Sequence, residues 1–472
     1  MIAMKRRFAA LPAFSALSAL SALALCACVA RPPLDAGIAA PPAWRYGGPA
    51  HGAPVADDWW RAFGNAELDR LVQQATTDNF DIAAAIARVQ QARSRARIAG
   101  SPMLPVLSGF ADASREGGLL VSDSELQGTS FDLGLAASYE LDFWGKNRAL
   151  RDAAQANFHA SVFDRDTVVL TVSANIVDTW LQTVSLRERS DIARRNLGTA
   201  RQILDTVESQ YRAGAATQLD VAQQRAAVAA QRRAAEALAQ QTNDSLATLA
   251  VLSGVPVAQL QLSTASLDGL TLPDIDAGVP SSVLVQRPDL ARAEALLAAA
   301  NANVAAARAA MLPSLTLSAT AGFGSERLHT IFDNSLYSVA AGLTAPIFNG
   351  GALAAGRDLA ISQREELLAN YRNAIISAFG DVERSLNAID GVDAQIRSQN
   401  EELNEAQRAL ALAQSRYRAG ADTLIVLLNA QQTLFSANDE NVQLRLARLQ
   451  ATVSLCRALG GGWRVPADSH SG

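Results

Sequence analysis

Hydrophobic and polar positions alternate without a break from Phe131 to Phe143. Phe131, Leu133, Leu135, Ala137, Tyr139, Leu141 and Phe143 fall on one side, and Asp132, Gly134, Ala136, Ser138, Glu140 and Asp142 on the other. A period of two places these sets on opposite faces of a β-strand. The same alternation sets Leu315, Leu317, Ala319, Ala321 and Phe323 against Ser314, Thr316, Ser318, Thr320 and Gly322. It also sets Tyr337, Val339, Ala341, Leu343, Ala345 and Ile347 against Ser338, Ala340, Gly342, Thr344 and Pro346. Together with 105–115, the pattern predicts strands at 105–115, 129–143, 313–323 and 336–348. One apolar face and one small, polar face suit either a transmembrane barrel or a hairpin packed on a soluble core. Outer-membrane barrels need about eight strands or more, so a barrel built from this sequence requires several chains.

Between these strands the period becomes helical, which predicts helices at 64–101, 144–213, 217–253, 281–311, 350–418 and 422–459. No proline interrupts Val106 to Val255 or Ile347 to Val465, and interior proline is what breaks long helices. A helix over 144–213 would run about 105 Å at 1.5 Å per residue. The 217–253 segment carries a three-four seam of Val221, Gln224, Val228, Gln231, Ala235, Leu238, Thr242, Ser245, Leu249 and Leu252. The last helix repeats it with Val442, Leu446, Leu449, Val453 and Cys456. Such seams also fit a coiled-coil rod without a pore. Strands inserted between the long helices do not suit a rod.

The chain contains itself twice. Tyr211-Arg212-Ala213-Gly214-Ala215 returns letter for letter as Tyr417 to Ala421, and Met103-Leu104-Pro105 as Met311-Leu312-Pro313. Asp81 has a counterpart in Asp289, and Phe143-Trp144-Gly145 echoes as Phe348-Asn349-Gly350. Four markers in the same order at an offset of 205 to 208 residues define a duplicated unit. The expected organisation is a first repeat at 64–255, a connector at 256–280, a second repeat at 281–462 and a tail at 463–472. The pentapeptide falls at the turn of each helix pair, where Gly214 and Gly420 supply positive φ.

Composition narrows the function. Hydrophobic residues are 49% of the chain but aromatics only 6%, which suits thin layers of close-packed helices. The net charge of −5 is spread without a basic block, so nucleic acid is not an expected partner. Four scattered His and three Cys leave little for a metal site, and no cofactor is implied. There is no Gly-x-Ser-x-Gly elbow and no HExxH, and Gly460-Gly461-Gly462 lacks the Lys-Ser/Thr of a phosphate loop. No catalytic constellation is present, so an enzyme is not expected.

Lys5-Arg6-Arg7 followed by the apolar stretch Phe8 to Leu25 reads as a signal peptide over 1–27. Leu25-Cys26-Ala27-Cys28 has Leu three before and a small residue directly before Cys28. That spacing looks like a bacterial lipobox with Cys28 acylated; a plain signal peptide or a retained anchor are the alternatives. Seven of the 16 prolines lie in the first 54 residues, so 28–63 reads as an extended tether behind the anchor. Val29, rather than an acidic residue, favours the outer membrane.

The lipobox, Arg287-Pro288-Asp289-Leu290, Ala307 to Pro313, Tyr417-Arg418-Ala419-Gly420 and Leu459-Gly460-Gly461-Gly462-Trp463 together resemble the TolC-like outer-membrane factors. Within them the chain is similar to the OprM/NodT-type efflux lipoproteins. The resemblance implies a mixed α and β membrane protein. In it, four strands per chain build a trimeric 12-stranded β-barrel that continues into a long periplasmic α-helical barrel. It implies a homotrimer in the outer membrane, acting as a passive duct for drugs and other small molecules. A periplasmic adaptor protein and an inner-membrane pump, usually of the RND type, would be its partners. Ducts for type I protein secretion or metal-ion export stay open as alternatives. By the resemblance, Tyr417 and Asp220 match a pair that links neighbouring helix pairs in the shut state. Arg418 and Ile425 match an arginine and a leucine constriction. Asn429 stands where an acidic gate residue is usual, with Asp422 as a nearby substitute. Tyr211, Gly214 and Gly420 mark the tips that would meet the adaptor.

Overall fold

The computed structural model describes residues 36–46, 54–119 and 125–464. The main unit begins at Ala39. The main unit opens with helices α1 (Ala66–Asp78) and α2 (Phe80–Gly100), then strands β1 (Val106–Leu119) and β2 (Glu125–Leu141). Two long helices follow, α3 (Lys146–Arg212) and α4 (Gln218–Leu252). After the connector come α5 (Pro280–Gln286), α6 (Pro288–Ala309), β3 (Ser314–Ser325), β4 (Ser335–Thr344), α7 (Ala352–Arg418) and α8 (Leu424–Ala458). Helices α3 and α7 each contain 67 residues, which gives each about 100 Å.

The strands form one antiparallel sheet in the order β1-β2-β3-β4. Its register aligns Ala111, Leu133 and Phe323 in one row, and Leu107, Ala137, Ala319 and Val339 in another. The apolar residues of all four strands therefore share one continuous face. Ser108, Ala136, Thr320 and Ser338 form a row on the other face, where Thr320 and Ser338 hydroxyls lie 2.8 Å apart. Leu135, Tyr337, Val339 and Leu343 on the apolar face stay exposed, so no described element of this chain covers it. β1 and β4 each keep one edge without a partner strand in the sheet.

Two predicted helices are divided, each for a visible reason. The helix expected at 64–101 breaks at Asn79, whose backbone is extended (φ −69°, ψ 128°). Its side-chain oxygen accepts from Asp81 N and Ile82 N at 2.8 and 3.1 Å and caps α2. Its amide donates to the Leu252 carbonyl at 2.8 Å, a partner 173 residues away. The helix expected at 281–311 breaks at Arg287, because the residue before a proline is pushed out of the helical region. The Arg287 guanidinium then binds Asp289 in bidentate fashion, Asp381 at 3.1 Å and the Ala458 carbonyl at 3.2 Å. It thereby ties α6, α7 and α8 together. Strand β2 begins earlier and ends sooner than the alternation indicates, and β4 stops before Pro346, which has no N–H for a ladder.

The seam of α4 is its buried face: Val221, Gln224, Ala235, Thr242 and Leu249 are all buried. Gln224, fully buried, donates to the Ala200 carbonyl of α3 at 2.8 Å, so a polar seam position keeps a partner. Val442, Leu446, Leu449, Val453 and Cys456 of α8 join a core with Trp59, Phe63, Leu68, Leu71, Trp180 and Leu249. The connector is fastened over this core by charged groups. Glu67 accepts from Trp180 Nε1 at 3.1 Å and from the Ser263 hydroxyl at 2.6 Å. Burial alone would raise the Glu67 pKa, but these donors and Thr264 hold it below the usual value. Arg187 donates to the Leu262 and Thr264 carbonyls, and Arg445 bridges Glu188 and Asp268.

Candidate functional site at the helical tips

Each long helix pair turns back through the repeated pentapeptide, and the two turns have the same geometry. In the first, Ala215 N donates to Gln210 O at 2.8 Å and Gly214 N to Tyr211 O at 3.0 Å. In the second, Ala421 N donates to Arg416 O at 2.9 Å and Gly420 N to Tyr417 O at 3.1 Å. This pair of bonds is the Schellman motif, which needs a residue of positive φ after the helix. Gly214 and Gly420 supply it, with φ of 75° and 71°.

Past the glycine the copies diverge. In the first tip Thr217 caps α4: its hydroxyl accepts from Asp220 N, while the Asp220 carboxylate takes Thr217 N and its hydroxyl, both at 2.7 Å. This closed capping box leaves Asp220 held within its own turn. In the second tip Thr423 makes no side-chain cap. An ion pair across the turn, Arg416 to Asp422, replaces it. The hydrogen bond to that carboxylate, and its charge, raise the Arg416 pKa. Ile425 and Val426 next to it are exposed.

Tyr417 is buried among Val207, Val221, Leu410, Ala413, Leu424 and Leu427, so its ring joins the two helix pairs of one chain. Burial raises its pKa, and the nearby Asp220 charge raises it further. The two are therefore neighbours, but no hydrogen bond joins them within the protomer, since Asp220 is spent on the capping box. Arg418 and Asn429 are exposed, and Asp422 is half-buried. Tyr211, the first-repeat counterpart of Tyr417, is exposed. Cys28 lies outside the described residues, as do the signal peptide and residues 465–472.

Two tip features escape the reading of the sequence given above. The Thr217-x-x-Asp220 spacing is itself a capping-box signature, a local signal that the residues carry. The Arg416–Asp422 pair has no such signal, because it spans a turn whose shape decides which arginine can reach. Among the described residues, no group of His, Cys, Asp and Glu is placed to hold a metal ion. No helix among them is long and apolar enough to cross a membrane.

A four-stranded sheet with a bare apolar face, carried on helix pairs whose longer members run about 100 Å, marks a membrane-embedded duct component. The family model for the outer membrane efflux protein matches the chain twice, over residues 71–255 and 279–461, and the chain belongs to that family. It is 50% identical over 452 residues to the pyoverdine export outer membrane protein OpmQ of Pseudomonas aeruginosa, covering 93% of this chain and 94% of that one. It is 30% identical to the cation efflux system protein CusC of Escherichia coli, covering 86% of this chain and 88% of that one. The solved outer-membrane channel OprN superimposes with a TM-score of 0.86 at 26% identity, over 92% of this chain and 99% of that one. The protein is the outer-membrane component of a tripartite efflux system. Three copies, each giving four strands, close a 12-stranded barrel that continues into a periplasmic helical barrel. A periplasmic adaptor and an inner-membrane RND pump complete the system.

Proposed function

We propose that this duct exports a siderophore of the pyoverdine class and that its periplasmic end is closed by the paired tips. The observation that carries the cargo is the contrast in similarity. Two pyoverdine export proteins are 50% and 47% identical over more than nine-tenths of the chain, whereas the cation, antibiotic and solvent efflux relatives are 30–31% identical. The duct acts by conduction, without a catalytic step or a cofactor, and the pump selects the cargo. Cys28 carries the lipid anchor, and the tether behind it is shorter than the expected 28–63, because Trp59 and Phe63 are already buried in the core.

At the tips, Tyr417, Asp220, Arg418, Ile425, Asp422 and Asn429 form the periplasmic gate. Tyr211, Gly214 and Gly420 shape the ends that meet the adaptor. Asn429 lacks the charge usual at its position, and the Arg416–Asp422 pair supplies an ionic clip on the same turn. The cargo is tested by deleting the gene from its host and measuring siderophore in the medium and the periplasm. The expected result is a fall in the medium with periplasmic accumulation, restored by the gene in trans. Unchanged siderophore secretion, with sensitivity to antibiotics or metal ions raised instead, overturns the cargo assignment and leaves the duct.

A further inference from the structure

The periplasmic rim of the sheet carries bulky residues that nothing described in the chain covers. Phe143 and Trp144 leave β2 at 71% and 55% exposure, and their repeat counterpart Phe348 follows β4 at 92%. The Trp144 indole donates to the Pro313 carbonyl at 2.7 Å, which fixes the ring at the entrance to β3. At the helix ends next to the strands stand Arg97 near the end of α2, Arg148 in the first turn of α3, and Arg308 in the last turn of α6. All three are exposed, and none has an acidic partner among the described residues. The acids nearby are already engaged. Glu140 takes Lys146 at 2.6 Å, Asp142 caps α3 through Asn147 N and Arg148 N, and Asp152 takes Arg151.

We propose that Arg97, Arg148 and Arg308, beneath the aromatic rim of Phe143, Trp144 and Phe348, form a seat for the anionic phospholipid headgroups of the periplasmic leaflet. Aromatic residues at the edge of an apolar band mark the membrane–water boundary. Arg97, Arg148 and Arg308 stand nine, seven and six residues along the chain from the nearest strand end. Headgroups occupy the ~5–8 Å beyond the hydrocarbon, and an arginine side chain snorkels across the remaining gap. A guanidinium pairs with the phosphodiester of either lipid, but in a zwitterionic headgroup the choline or amine offsets that charge, so net attraction favours the anionic lipid. Three copies repeat the seat around the barrel. The inference rests on that membrane placement and is independent of cargo and gate.

The test uses the intact trimer in nanodiscs of phosphatidylcholine with a minor fraction of phosphatidylglycerol. Lipids retained through extraction are counted by native mass spectrometry. Wild type is expected to retain phosphatidylglycerol in preference to phosphatidylcholine. The preference should fall by about fivefold for each of Arg97→Gln, Arg148→Gln and Arg308→Gln, while Arg201→Gln, on the helical body, leaves it unchanged. Millimolar inorganic phosphate should not displace the lipid. An equal lipid ratio in wild type overturns the proposal, as does a preference that survives all three single substitutions in intact trimers. Complete displacement by inorganic phosphate also overturns it, because the site would then bind any phosphate. Failure here leaves channel conductance untouched, so it is distinguishable from failure of the duct itself.

Discussion

Asp178 stands on α3 with one carboxylate oxygen buried and unpartnered. Burial pushes its pKa up to about 6, against which the Arg457 charge works only in part. The Cys456 thiol beside it is pushed to about 12 by burial, so it stays neutral and does not share the proton. The sign follows from linkage. Asp178 is protonated in both folded and unfolded chains below pH ~4, so it costs nothing there. Between pH ~4 and ~6 the unfolded carboxyl ionises first, and above that the folded chain carries a buried charge. Asp178→Asn is therefore expected to stabilise the trimer by about 1–3 kcal/mol at pH 8 and by little at pH 4, read from unfolding at both values. Equal stabilisation at the two pH values would mean that titration is not the cause. No sequence pattern exposes this group, because Asp178 sits at an ordinary helical position and only the packing of α8 against α3 buries it.

At the scale of elements, the helix ends carry most of what the repeat specifies. Gly254 and Gly460 close α4 and α8 with turn hydrogen bonds of the kind that close the tips. Their surroundings differ sharply from those of Gly214 and Gly420. A Cβ on Gly460 would fall 1.9 Å from the Gln286 carbonyl oxygen, and one on Gly254 2.4 Å from that of Asp78. A Cβ on Gly214 or Gly420 meets nothing within 4 Å. Gly214→Ala and Gly420→Ala should thus cost only the left-handed backbone penalty of ~1–2 kcal/mol and still give trimers. Gly460→Ala should prevent stable trimers from forming, as judged by heat-resistant oligomer on gels. The strands and long helices are legible in the sequence because period two and period 3.6 differ over many residues. The breaks at Asn79 and Arg287 behave differently. Pro288 is a local signal for the break at Arg287, whereas at Asn79 a local cap on Asp81 N and Ile82 N is joined by a bond to the distant Leu252 carbonyl. The capping box at Thr217 and Asp220 is also local and readable. The same carboxylate fits a latch to Tyr417 by resemblance, and sequence alone does not rank the two.

For the whole molecule, the sheet explains why one chain is incomplete. Its apolar face is uncovered and both edge strands are open, and an open edge is a template for another copy. Three copies satisfy both edges of each sheet at once. In the gate proposed above, each chain contributes one tip with the capping box and one with the Arg416–Asp422 clip. The Tyr417 ring is buried within one protomer, while Asp220 is fastened in its own turn. On that proposal, opening parts the tips and leaves both turns folded. Single-channel conductance of the purified trimer in planar bilayers tests this most directly. Wild type is expected to stay nearly closed at rest. Tyr417→Phe combined with Asp220→Ala should raise the open fraction by about tenfold for each ~1.4 kcal/mol of closing energy removed. Thr217→Ala, which removes the capping hydroxyl but keeps the carboxylate, should leave that fraction near the wild-type level. Intact trimers whose conductance is the same in all three proteins, or absent from all three, would contradict a duct gated at its tips.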